Sequence, residues 1–358
     1  MPESATKRVV IAMSGGVDSS VAAALLVEQG YDVIGVMLRL WSEPDREGSN
    51  RCCTPDSMAL ARRIAAKLGI PFYAIDAREI FHTTVVQSFI TGYTKGITPN
   101  PCLVCNREIR WKFLLNQAMA LGADFLATGH YARVQESSPG RYLLLRGADR
   151  QKDQSYVLHV LEQRHLARAL FPVGGYQKSE IREFAAKSGL PVAERPDSQD
   201  LCFLGGDDYR DFLSRNSQAA PKPGPILNRD GIYLGEHQGL AFYTIGQRKG
   251  LGITSPAPYY VQAKDIHRNA LIVCRQEELG HNVLYAHNVN WVAGQPPQAP
   301  IRAQVKIRYR AEDAWATLTP LAGGRIEAIF DFPLRDITPG QAAVFYQEDL
   351  CLGGGLIE

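Results

Sequence analysis

The continuous apolar run Arg8 to Met13 leads directly into Ser14-Gly15-Gly16-Val17-Asp18-Ser19-Ser20, and Ser19 to Gln29 then repeats apolar residues at helical spacing, with Gly30 as its stop. A buried strand that turns through paired glycines into a helix is a demanding arrangement. Glycines let the backbone approach a phosphate closely, and a helix N-terminus directs unpaired N–H groups and a partial positive charge at it. No lysine closes the loop, so it is not the Gly-x-x-x-x-Gly-Lys-Ser/Thr type. Asp18 sits inside it instead, where a carboxylate is tolerable chiefly if Mg²⁺ accompanies a leaving pyrophosphate. The plainer alternative is a strand-to-helix turn with Asp18 or Ser19 as N-cap.

The pattern that follows predicts strands at Val33 to Leu38, Phe72 to Ile75 and Phe125 to Thr128. Helices are predicted at Asp56 to Leu68, Ile80 to Thr94 and Asn106 to Leu121. Such alternation implies an α/β fold, a parallel sheet with helices on both faces and ligands at the carboxyl ends of its strands. The texture changes at Asp207 to Pro225, a stretch containing Pro221-Lys222-Pro223-Gly224-Pro225, and short β-prone pieces continue to Cys274. Beyond Gly280 the pattern is strands only, including Ala303 to Arg308, Trp315 to Leu318, Arg325 to Phe330 and Ala342 to Tyr346, which suggests a small antiparallel β-barrel. The expected domains are therefore 1–208, a small central β-rich domain at 209–276, and a barrel at 277–358.

No apolar run approaches the roughly 20 residues of a membrane span, and Met1 to Lys7 is polar with no apolar signal core after it, so a cytoplasmic location without membrane partners is expected. A formal charge of +2 announces no nucleic-acid partner by itself; such a reading must come from local clusters. The seven cysteines, an odd number without a secretion signal, do not form a disulfide scaffold. Cys102 and Cys105 stand three apart just ahead of the predicted helix, where a thiolate is favoured, and Cys202 lies in the polar stretch Asp197-Ser198-Gln199-Asp200-Leu201-Cys202-Phe203. Three readings compete: a structural zinc site completed by Cys52 or Cys53, a persulfide relay resolved through a disulfide, and an iron–sulfur cluster on Cys102, Cys105 and Cys202. Lys152-Asp153-Gln154 combines a phosphate partner with base-edge donors and acceptors, though an ordinary helix start would look alike. Lys306-Ile307-Arg308-Tyr309-Arg310 would put alternate basic side chains on one face of a strand, with Gln247-Arg248-Lys249-Gly250 as a second basic cluster.

Several motifs occur together: the loop, Asn100-Pro101-Cys102-Leu103-Val104-Cys105-Asn106, Thr128-Gly129-His130-Tyr131, Lys152-Asp153-Gln154-Ser155-Tyr156, Ser198 to Phe203, and Cys351-Leu352-Gly353-Gly354-Gly355. In this combination the chain resembles, over its whole length, the bacterial tRNA 2-thiouridylases of the PP-loop ATP pyrophosphatase superfamily. The resemblance implies an N-terminal PP-loop (adenine nucleotide α-hydrolase-like) domain that binds ATP through Ala12, Met13, Ser14, Gly15, Gly16, Val17, Asp18, Ser19, Leu38 and Gly129. It implies Cys105 as nucleophile and Cys202 as the persulfide-bearing residue, able to form a transient disulfide. Asn100, Pro101 and Cys102 would touch the target base, and His130, Lys152, Asp153, Gln154, Arg308, Tyr309 and Gln341 would contact tRNA. The implied partners are the anticodon loop, with its wobble uridine flipped from the stack, and an upstream sulfur donor protein. Many members carry Asp where this chain has Cys102, and the two-cysteine form is a candidate for a [4Fe-4S] cluster in place of the persulfide.

Overall fold

A computed structural model describes residues 6–44, 54–196, 201–217 and 222–358. Cys52, Cys53 and the Ser198-Gln199-Asp200 part of the Cys202 motif lie outside the described residues.

Five parallel strands form the first sheet, in the spatial order Phe72–Asp76, Asp32–Arg39, Arg8–Ala12, Phe125–Ala127 and Ala169–Leu170. The central strand explains its own unbroken apolar sequence. Val10 belongs to one core, while Val9 and Ile11 belong to the core on the opposite face, and all three are fully buried. The order runs outward in both directions from Arg8–Ala12, so the crevice of a doubly wound sheet opens between the carboxyl ends of Arg8–Ala12 and Phe125–Ala127. Residues Ser14 to Ser19 and Thr128 to Tyr131 emerge there.

The helix expected to begin at Asn106 starts five residues earlier. Asn100 accepts a hydrogen bond from the Cys102 N–H through Oδ1 at 3.1 Å, and Pro101 occupies the first helical position. Both are start signals, and the cap contributes about 1 kcal/mol. Helical turns then continue through Pro101–Val104, the π-helical Cys105–Leu114 and Leu115–Ala120. The two cysteines therefore lie inside the helix, Cys102 in its first turn and Cys105 in its second.

A four-stranded central sheet (Tyr260–Asp265, Ala270–Cys274, Gly224–Leu227, Tyr233–His237) precedes the C-terminal barrel. Six antiparallel strands close that barrel, with His281–Trp291 pairing both Arg325–Leu334 and Leu350–Ile357. The Gly353-Gly354-Gly355 run is a packing device. A Cβ at Gly353 would stand 2.1 Å from Asn290 O, and one at Gly354 would stand 2.8 Å from the His159 ring.

A hairpin that the sequence pattern did not reveal, Ala132–Ser138 with Arg141–Arg146, belongs to the barrel sheet. Its second strand pairs with the last strand of the chain, Leu144 opposite Cys351 and Leu145 opposite Leu350. The N-terminal half and the barrel thus share one sheet. Arg146, 5% exposed, lies in the seam, its guanidinium 3.5 Å from the Tyr346 ring centroid and bonded to Asp313 at 2.5 Å.

Candidate functional site

Ser14, Gly15 and Gly16 make the turn from strand to helix. Gly15 has φ +72°, a region that favours glycine, and a Cβ there would lie 2.7 Å from Ser57 O. Ser19 Oγ receives the Ser14 N–H at 3.2 Å, and Ser20 Oγ donates to Gly16 O at 2.8 Å, so the serines brace the loop from beneath. Ala12 ends the strand, half-buried, and the buried Met13 extends the sheet by donating its N–H to Val36 O at 2.8 Å. Gly129 crosses directly over the helix start. A Cβ on it would meet Ser19 N at 2.8 Å and the Asp18 carbonyl carbon at 2.9 Å, and that space brings Thr128 to Tyr131 against the loop.

Two residues that sequence reasoning missed converge on Asp18. Lys178 Nζ donates to Asp18 Oδ1 at 2.6 Å and Tyr131 Oη donates to the same oxygen at 2.7 Å. The loop that lacked its own lysine receives one from the start of the helix Lys178–Lys187. Asp18 is therefore charge-compensated within the protein itself, and magnesium is not the sole explanation of a carboxylate in this loop. Only the neighbouring Gln177-Lys178-Ser179-Glu180 could have pointed to Lys178, and it reads as an ordinary helix opening. A third missed residue, Arg195, holds the loop from its other side, donating to Gly15 O at 2.7 Å and to Ser57 Oγ at 2.9 Å.

His130 is 5% exposed. Arg110 donates to its Nε2 at 2.8 Å, which requires a neutral ring carrying its proton on Nδ1, 2.7 Å from Thr128 Oγ1. Burial, aided by the Arg110 charge, holds its pKa well below the usual histidine value. With both ring nitrogens engaged, His130 fixes the loop that carries Gly129 and Tyr131.

The Lys152-Asp153-Gln154 turn also faces inward for two of its three side chains. Asp153 Oδ1 accepts the Gly147 and Ser155 N–H groups, each at 3.0 Å, and Oδ2 accepts the Ser155 hydroxyl at 2.9 Å. Gln154 Oε1 accepts the Tyr131 N–H at 3.0 Å while the Gln154 N–H donates to Tyr131 O at 2.8 Å. Lys152 keeps a half-buried side chain at the surface. A carboxylate this buried spends its oxygens on protein donors.

The basic strand is corrected. The strand Ile301–Lys306 ends before Arg308, and Arg308, Tyr309 and Arg310 lie in the turn beyond it. Arg308 donates to Ile245 O at 3.0 Å and to Thr338 Oγ1 at 2.5 Å, tying the central sheet to the barrel. Tyr309 sits edge-on to Tyr156 at 6.2 Å. Burial raises its phenol pKa, with Asp153, Cys102 and Asp149 adding and Arg310 opposing, so the barrel turn reaches the neighbourhood of Cys102. Gln341 donates through Nε2 to Thr98 O at 2.9 Å, and Thr98 N–H donates to Pro339 O at 2.9 Å. The barrel thereby clamps the segment that leads into Asn100-Pro101-Cys102.

Burial sorts the described thiols into two classes. It pushes Cys274 up to about 11 and Cys351 up to about 12, which keeps both protonated at neutral pH. Cys102 is exposed, whereas Cys105 and Cys202 are partly buried against one aromatic cluster containing Phe81, Phe89, Phe203 and Phe212. Leu38, half-buried near the end of its strand, packs against this cluster and also against the core beneath the sheet. Among the described residues no group of three His, Cys, Asp or Glu side chains is arranged to hold a metal ion. Cys102, Cys105 and Cys202 are not brought together as such a group among the described residues. Also among the described residues, no helix is long and apolar enough to cross a membrane.

Comparison with known proteins agrees with this arrangement. A family model described as the tRNA methyl transferase HUP domain matches residues 7–206, one described as the tRNA methyl transferase PRC-barrel domain matches 210–275, and one described as the aminomethyltransferase beta-barrel domain matches 281–357. The tRNA-specific 2-thiouridylase MnmA of Moorella thermoacetica is 51% identical over 352 residues, covering 98% of this chain and 99% of its own. The proteins of the same name from Symbiobacterium thermophilum (50% identical, covering 98% and 92%) and Roseiflexus castenholzii (48% identical, covering 98% and 99%) are similar to it over the same extent. Near-half identity over almost the full length of both partners, with matching models along the chain, shows that this chain belongs to the tRNA-specific 2-thiouridylase family.

Proposed function

We propose that the chain uses ATP to replace O2 of the wobble uridine of tRNA by sulfur, as a cytoplasmic tRNA-uridine 2-sulfurtransferase. One observation carries the sulfur-transfer half: Cys105 and Cys202, far apart in sequence, pack against the same cluster, and Leu38 joins that cluster to the nucleotide-facing sheet. The domain models speak of methyl transfer in their descriptions, but two partly buried thiols against one aromatic cluster suit covalent sulfur chemistry.

Uridine O2 attacks the α-phosphate, the bond between that phosphorus and the bridging oxygen breaks, and pyrophosphate leaves. Backbone N–H groups of the loop and Lys178 stabilise the charge that builds on the phosphates. Asp18, a third exposed in its side chain, offers a hard oxygen ligand suited to Mg²⁺, which when bound neutralises the departing pyrophosphate. The outer sulfur of a persulfide on Cys202, loaded by an upstream sulfur donor protein, attacks C2 and AMP departs. The Cys105 thiolate then attacks Cys202 Sγ and breaks the sulfur–sulfur bond, leaving 2-thiouridine and a Cys105–Cys202 disulfide that an external thiol reduces. The three regions matched by separate models divide the work: the N-terminal region through about residue 208 for chemistry, the central 209–276 and barrel 277–358 for holding RNA. Lys152, Tyr309 and the exposed Arg248 and Lys249 offer it cations and an aromatic face.

The test is single-turnover thiolation of undermodified tRNA, with iron and acid-labile sulfide measured after anaerobic purification. Cys105→Ala and Cys202→Ala are expected to lose thiolation by at least about 10³-fold while still releasing pyrophosphate, and Cys102→Ala to retain it. Full thiolation by the first two variants would end the proposal. Loss in Cys102→Ala together with stoichiometric iron would replace the persulfide with a cluster.

A further inference from the structure

Both donors to Asp18 are held by one short turn. Asp149, 8% exposed, accepts the Lys178 N–H through Oδ2 at 3.0 Å, setting the first residue of the helix from which Nζ reaches Asp18. Its other oxygen accepts the N–H groups of Gln151 at 3.0 Å and Lys152 at 3.2 Å, fixing the course of the turn. Five residues along, Gln154 grips Tyr131 by both its N–H and its carbonyl, and Tyr131 Oη supplies the second donor. Asp153, between them, is locked to Gly147 and Ser155, and Ser155 Oγ lies 3.1 Å from Tyr346 Oη in the barrel. Lys152, half-buried, lies on the same turn.

We propose that the turn Asp149 to Gln154 is a positioning element for the nucleotide site, with Gln154 acting through Tyr131 and Asp149 through Lys178 on the Asp18 carboxylate. On the reading that tRNA engages this turn, its binding and ATP binding are then thermodynamically coupled. RNA that pins the turn pins both donors, so ATP binds more tightly to the tRNA complex, and tRNA gains the same factor from ATP. Gln154 is a positioning residue, since it touches neither phosphate nor the reacting atoms. Its use is to hold a phenol in register over distances that a hydrogen bond resolves to a few tenths of an ångström.

The chemistry of the amide allows a clean test. Only Oε1 is needed to accept the Tyr131 N–H, so Gln154→Glu keeps that acceptor, while a base-reading role would require the amide's donor as well. ATP affinity is measured calorimetrically on the full chain, with a non-hydrolysable ATP analogue, with and without undermodified tRNA. Without RNA, Gln154→Ala and Tyr131→Phe should each weaken the analogue about tenfold, whereas Gln154→Glu stays within about twofold of the parent. With RNA, the parent should tighten several-fold and Gln154→Ala should not. Parent-like affinity in RNA-free Gln154→Ala overturns the positioning role, and Tyr131→Phe, which removes one hydroxyl from a folded protein, guards against a misfolded alanine variant. A parent indifferent to tRNA overturns the coupling. The RNA-free measurements do not depend on which substrate is thiolated, so failure of the thiouridylase reading would leave them standing.

Discussion

The phosphate site and the thiol site are built on opposite principles. At the phosphate site, backbone does the work: glycines at 15 and 129 clear space, serines brace the loop, and Asp18, Lys178 and Tyr131 are fixed by short bonds. The thiols sit on a second helical turn and a 3-10 turn and lean on aromatic rings, Phe89 against Phe203 at 5.2 Å and Phe203 against Phe212 at 5.4 Å. Directional bonds suit a ligand whose charges must be met at fixed points. Rings that bury without directing suit the exchange proposed above for these two sulfurs. Activation and sulfur delivery should therefore be separable by mutation.

The severest break is Gly129→Ala. Its Cβ meets backbone atoms of Asp18 and Ser19 below 3.0 Å, where no side chain can yield, so ATP binding should fall more than about 100-fold in calorimetry. Loading of Cys202 with labelled sulfur from a small-molecule persulfide should continue, and its loss would show that the two sites are one cooperative unit. Lys178→Met should cost about 100-fold in the rate of pyrophosphate release with a smaller effect on ATP affinity, because its charge is worth most as the phosphates gain charge. Equal losses in rate and affinity would make Lys178 a ground-state contact.

The mildest test concerns the frame that both sites share. Burial lowers the pKa of His159 from 6.5 to about 4 in the folded chain. The unfolded chain therefore takes up protons that the folded one refuses. The contribution of His159 is fully present above about pH 6.5 and is lost as pH falls toward 4, on the order of 3 kcal/mol in all. His130, lowered in the same direction by burial, adds to this acid sensitivity. Urea midpoints should drop between pH 7 and pH 4.5, and His159→Asn, which can still donate to Tyr156 O, should flatten that slope. An unchanged slope would assign the acid sensitivity elsewhere.

The strand-glycine-helix loop and the alternating first half were legible because each is local: strand, turn and helix follow one another and their periods change visibly. The barrel was legible from strand-only texture. Lys178 was not, because its importance comes from meeting Asp18 across 160 residues, and nothing in its own neighbourhood departs from a helix start. Asp153 and Gln154 were legible as polar residues at a turn, but their partners within the fold were not. Polar residues beside a turn look available, and only the fold reveals that Gly147, Ser155 and Tyr131 have claimed them. Arg308 was assigned to a strand that stops two residues earlier because Ile245 O and Thr338 draw its guanidinium toward the central sheet.

The shared sheet has a consequence for how the chain is made. The strand Arg141–Arg146 leaves the ribosome about 200 residues before Leu350–Ile357, the strand that closes its outer edge. At roughly 5–20 residues per second, that edge waits on the order of 10–40 s during synthesis. Throughout that interval Leu144, buried in the finished protein, stands on a bare strand open to intruders. Addition of the strand Leu350–Ile357, rather than completion of the nucleotide domain, is what covers that edge.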